Sequence, residues 1–136
     1  MNKPQSHGDT ELSDLNLLTS KIIGCAIEVH RTLGPGLLEP LYETALSIEL
    51  EDAAIPHVRQ MRLPAFYKGR LLGEYRVDLV IGERVLVEVK CVERLHPVFE
   101  AQLLTYLRLT DKKLGLLINF NVAMLKESIK RVANGM

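Results

Sequence analysis

Tyr75-Arg76-Val77-Asp78-Leu79-Val80-Ile81-Gly82-Glu83-Arg84-Val85-Leu86-Val87-Glu88-Val89-Lys90 holds two apolar runs around a Gly82-Glu83-Arg84 turn signal. In a strand over the second run, Val85, Val87 and Val89 point one way and Leu86, Glu88 and Lys90 the other. A carboxylate and an amine therefore share a face. Where Asp78 falls depends on the turn: a two-residue loop pairs it with Val87, whereas a three-residue loop of Gly82, Glu83 and Arg84 pairs it with Glu88. Three-residue hairpins closing on a bulge are common, and that register is adopted. It sets two carboxylates side by side, a repulsive arrangement. A divalent cation that favours hard oxygen ligands, Mg2+ or Mn2+, would turn it into a stabilised site. Arg76, two residues before Asp78, is expected on the same face, where it could pair with a site carboxylate or touch substrate.

Outward from this hairpin, residues 58–67, 71–81 and 85–90 alternate or run apolar, with Lys68-Gly69-Arg70 supplying the first turn. An antiparallel three-stranded meander follows. Pro97 opens a helix in which Phe99, Leu103, Leu104, Tyr106 and Leu107 recur at helical spacing, and residues 114–120 read as a strand covered on both faces. The unit from residue 85 to residue 120 is then a βαβ crossover with parallel strands. Upstream, Leu15, Leu18, Ile22, Cys25, Ala26, Val29 and Leu33 mark an amphipathic helix capped by Ser13 or Asp14 and ended by Gly34-Pro35-Gly36. A second helix starts near Leu37 to Glu39, with Pro40 tolerated in its first turn. Leu41, Ala45, Leu46, Ile48 and Leu50 are expected to form its buried side. Residues 1–12 read as a flexible tail and 13–136 as one domain; residues 121–136 fit helix or strand equally well.

The chain has 136 residues, with 17 basic and 17 acidic side chains, and 47% of it is apolar. One core suffices, and a binder that works through a broad positive field is excluded. Cys25 and Cys91 have no CxxC partner, so neither a disulfide nor a zinc site is indicated. His7, His30, His57 and His96 lack ligand spacing. No apolar run approaches the roughly 18 residues of a membrane span, and no signal peptide is evident, which gives a cytoplasmic expectation with no membrane partner. Arg59, Arg62, Lys68 and Arg70 cluster around the first hairpin, either as phosphate contacts or as an ordinary solvated edge.

Asp78, Glu88 and Lys90 together resemble the D-x(n)-E-x-K signature of the PD-(D/E)xK nuclease superfamily. Gln102 and Tyr106, at i and i+4 on the following helix, resemble the QxxxY element of its RecB-like members. Gly36-Leu37-Leu38-Glu39-Pro40-Leu41-Tyr42 is similar to the GxxExxY motif of one family of small members, a likeness that covers about residues 15–133. Val77 stands where the superfamily name has proline. The resemblance implies a restriction-endonuclease-like core, with a small mixed sheet flanked by helices, and a nuclease acting on DNA or RNA with Mg2+ or Mn2+. It also implies metal ligation by Asp78, Glu88 and Glu39, catalysis by Lys90 with those carboxylates, and accessory roles for Gln102 and Tyr106. The alternatives are a nuclease-fold module that binds nucleic acid or a protein partner without cutting, and an interaction protein with a structural polar pocket. A homodimer, by which a minimal domain lacking wrapping arms would cut two strands, stays open.

Overall fold

The computed structural model describes residues 7–136. In chain order the elements are α1 (His7–Leu33), α2 (Glu39–Asp52), β1 (His57–Tyr67), β2 (Arg70–Ile81), β3 (Val85–Lys90), α3 (Pro97–Thr110), β4 (Leu114–Asn119), a 3-10 turn (Leu125–Ser128) and β5 (Ile129–Ala133). The strands form one sheet in sequence order, β1-β2-β3-β4-β5. Only β3 and β4 run parallel, because α3 carries the chain back between them. The mixed α/β architecture expected from the sequence is the one observed.

Helix α1 begins at His7, so residues 7–12, read as tail from sequence, are helical and precede the expected cap. The Arg84 guanidinium donates to the Glu11 carbonyl at 3.0 Å. Residues 1–6 of the expected tail lie outside the described residues. At the other end, residues 129–133 resolve the helix-or-strand ambiguity by pairing antiparallel with β4.

Two apolar clusters fill the two sides of the sheet. Leu15, Ile22, Ala26 and Val29 of α1, with Tyr42, Leu46 and Leu50 of α2, meet Leu79, Ile81, Val85, Val87 and Val89 on one side. Leu103, Tyr106 and Leu107 of α3 meet Val77, Val80, Leu86 and Leu117 on the other. The buried face of α2 is thus the Tyr42–Leu46–Leu50 row, with Glu43 and Ser47 beside it, while Leu41 and Ile48 are exposed. The expected face was rotated because Tyr42 outweighs Leu41: its ring stacks on Phe120 at 4.7 Å between centroids.

Tyr42 also shapes the start of α2. Its hydroxyl donates to the Gly34 carbonyl and accepts from the Leu37 N–H at 3.1 Å. Gly34 and Gly36 take φ of 68° and 99°, a region open to glycine at little cost. The loop is thereby pinned to the core, and Glu39 enters as the first helical residue.

Candidate active site

The β2–β3 turn has the expected length. Ile81 pairs with Val85, Val80 with Leu86 and Leu79 with Val87, leaving Gly82, Glu83 and Arg84 as the loop. Gly82 and Glu83 both lie at positive φ, 58° and 60°, and Arg84 N–H donates to the Ile81 carbonyl at 3.1 Å. One step further along this register Asp78 stands opposite Glu88, and there the backbone ladder stops. Side chains complete it instead: Asp78 N–H donates to Glu88 Oε2 at 2.9 Å, and Val89 N–H donates to Asp78 Oδ2 at 2.8 Å. Each carboxylate is held by the opposing strand, and the two are locked together.

Residue Gln60 of β1 stands across from Asp78 on the other side. The β1–β2 register omits that pair and shifts by one residue further out, between Ala65 and Phe66; Gln60 has φ of 52°. His57 and Arg59 reach α2, whereas Met61 and Leu63 pack with α3. Likewise Leu79 and Ile81 belong to the α1–α2 cluster, whereas Tyr75 and Val77 belong to the α3 cluster. The ribbon of β1 and β2 therefore keeps its register through Gln60 and Asp78 but swaps faces there. Arg76 is exposed, opposite Arg62, and makes no ion pair among the described residues.

Two residues that sequence reading missed complete the surroundings. Gln60 Nε2 donates to Glu43 Oε1 at 2.6 Å and to Asp78 Oδ1 at 3.2 Å, tying α2 to β2. Glu43 is buried and salt-bridged to Arg59 at 3.0 Å. The i, i+4 relation of Glu43 to Glu39 was the available signal, hidden by the misplaced helix face. Glu39 accepts a hydrogen bond from the Cys91 backbone, and its pKa is raised by burial, against the pull of Lys90, with Asp78 adding to the rise. Glu43 is raised too, by burial and then Asp78.

The carboxyl of Glu88 is the most perturbed group. Burial first, then the Asp78 charge, push its pKa up to about 9. Tyr106 is pushed up to about 12 by burial and by the Glu88 and Asp78 charges, and its ring tilts against Tyr75 at 5.4 Å. Lys90 has no ion pair within 4.0 Å among the described residues; its ammonium sits 4.6 Å from the Phe99 ring centroid. Phe120 N–H donates to the Lys90 carbonyl, and buried Asn119 bonds both the N–H and carbonyl of Val92, fixing the chain just past Lys90. Gln102 is exposed on α3 and, among the described residues, is not brought into hydrogen-bonding contact with the site.

Among the described residues no three His, Cys, Asp or Glu side chains form a metal-holding group. Three of the histidines serve the fold: His30 bonds the Val122 carbonyl, His57 bonds Ser47 and the Ile55 carbonyl, and His96 caps α3. The Asp78–Glu88 pair would suit Mg2+ or Mn2+, which are typically held by one or two carboxylates, waters and substrate phosphates, and would not suit a four-ligand structural zinc.

The chain matches the family model of the PD-(D/E)XK nuclease superfamily over residues 16–132. It belongs to that superfamily, whose members generally use divalent metals. No curated protein and no solved structure matches it. Among the described residues, no helix is long and apolar enough to cross a membrane.

Proposed function

We propose that the protein is a nuclease that hydrolyses phosphodiester bonds in DNA or RNA with Mg2+ or Mn2+ bound at Asp78 and Glu88. The observation that carries this is the reciprocal locking of the two carboxylates, each through the other's strand, with Lys90 two residues further on. Such a pair, with Glu88 raised to about 9, is electrostatically costly until a cation joins it. The likeness of residues 36–42 to GxxExxY supports placing the chain in that group within the superfamily.

A divalent ion held there would polarise a phosphoryl oxygen and acidify a bound water. Lys90, with no competing ion pair among the described residues, would offset charge building on phosphorus or orient the water. Glu39, its carboxyl raised and tied to the Cys91 backbone, would hold a water beside the metal or complete the metal shell. Tyr106 keeps its proton at neutral pH and so would serve as a hydrogen-bond donor. Gln102, one turn before it, would reach substrate only.

The test is Mn2+ titration and cleavage of labelled single- and double-stranded oligonucleotides. Asp78→Ala and Glu88→Ala should lose metal binding and cleavage together. Lys90→Ala should retain metal and lose about 10²-fold or more in rate. Cleavage that survives Asp78→Ala would refute the assignment. A non-cutting binding module is the second reading, favoured by the lack of a three-ligand group among the described residues; metal binding by wild type without cleavage would select it.

A further inference from the structure

Beyond the face swap at Gln60 and Asp78, β1 and β2 leave the rest of the sheet. Strand β3 pairs with β2 only as far as Leu79, so residues 61–77 form a two-stranded arm. One side of it is backed by α3 through Met61, Leu63 and Tyr75. The tip has no such backing: Phe66, Tyr67, Leu71 and Leu72 are 62%, 58%, 65% and 69% exposed. Two-stranded ribbons are marginally stable alone, and four bare large apolar side chains at a tip call for a partner.

Charge indicates which partner. The whole chain is neutral, yet the arm carries Arg62, Lys68, Arg70 and Arg76 against a single acid, Glu74. Among the described residues Glu74 pairs with Arg62 alone, at 3.7 Å. Phe66 pairs with Leu71 across the strands and Tyr67 with Arg70, while the Lys68 ammonium lies 5.3 Å from the Tyr67 ring centroid. Aromatic rings interleaved with cations suit unpaired bases strung on phosphates, because every base has a face to stack and every nucleotide an anion to pair. A second copy of the chain fits poorly. A two-fold contact through the tips would bring two like-charged arms together, and Pro64 lacks the N–H needed to extend the sheet along the β1 edge.

We propose that this arm is the substrate-gripping element, taking single-stranded nucleic acid with Phe66 and Tyr67 stacked on bases and Lys68, Arg70 and Arg76 on phosphates. It deepens, and rests on, the nuclease reading above. The arm leads straight into Asp78: the seven residues from Leu71 span about 23 Å at ~3.3 Å each, so a strand held at the tip runs along Arg76 toward the carboxylate pair.

The experiment is fluorescence anisotropy of labelled single-stranded and duplex oligonucleotides in EDTA, where cleavage is silent, followed by cleavage assays with Mn2+. Wild type should bind the single strand more tightly than the duplex. Phe66→Ala and Tyr67→Ala should each weaken that binding at least about fivefold, and Arg70→Ala should reduce the salt dependence by roughly one ion. The tip residues are exposed, so the variants should keep the wild-type circular dichroism and melting. Unchanged affinity in both ring variants, or tighter binding to duplex, overturns the proposal. So does a concentration-dependent dimer that Phe66→Ala dissociates. Cleavage that persists with unaltered tip variants defeats the arm and spares the nuclease; strand binding lost at the tip but never followed by cleavage does the reverse.

Discussion

Glu88 is a carboxylic acid whose surroundings favour the neutral form, and this has a measurable cost. Its folded pKa of about 9 lies above the ordinary 4.5. Between those values the folded state holds a proton that the unfolded chain has released, so stability falls as pH rises through that window and the penalty vanishes below it. In EDTA, wild type should therefore melt at lower temperature at pH 8 than at pH 6. Glu88→Gln keeps an oxygen to accept from Asp78 N–H and removes the titration. It should flatten that dependence, raise the pH 8 melting temperature by several degrees, and abolish metal binding, a trade of function for stability. A Glu88→Gln protein that melts below wild type at pH 8 would show that the buried charge is already compensated.

At the level of elements, two contacts decide whether the site is assembled. Helix α3 lies so close to β4 that a Cβ on Gly115 would come 2.9 Å from Leu103 Cγ. Gly115→Ala should cost about 1–3 kcal/mol through forced repacking, read by chemical denaturation. Tyr42→Phe removes two hydrogen bonds that pin the loop ahead of α2. It should lose about 1–2 kcal/mol and cleave more slowly, because Glu39 is no longer held at the helix start; unaltered cleavage would dissociate the tyrosine from the site. These elements also mark how much could be read in the sequence. The Gly82-Glu83-Arg84 loop and the Glu88–Lys90 alternation are local, so period and turn length sufficed to bring Asp78 to Glu88. The buried face of α2 was misread because Leu41 and Ile48 are as apolar as Leu46, and only the distant Phe120 decides which row turns inward. Glu43 was lost with it. The face swap was not legible, because a glutamine gives no warning that it will take a left-handed backbone and turn the ribbon over.

For the molecule as a whole, the strands follow one another across the sheet in sequence order, and the α3 crossover turns the β3–β4 pair parallel. The core lies under β3 and β4, both buried along almost their full length, while the arm stands outside it on two strands. Gln60 and Asp78 sit at the border between these regions. Proteins open in cooperative units of unequal stability, and here the border is also where the metal would bind. In amide hydrogen exchange, protons in the 61–77 ladder should be replaced by a partial opening, whereas those of Leu116 and Ile118 should wait for global unfolding. Adding Mn2+ should slow exchange selectively in the arm, as the ion ties the looser unit to the firmer one; uniform protection throughout would argue against it. The left-handed glutamine facing Asp78 then works as a seam, letting the outer ribbon breathe without loosening the carboxylate pair beneath.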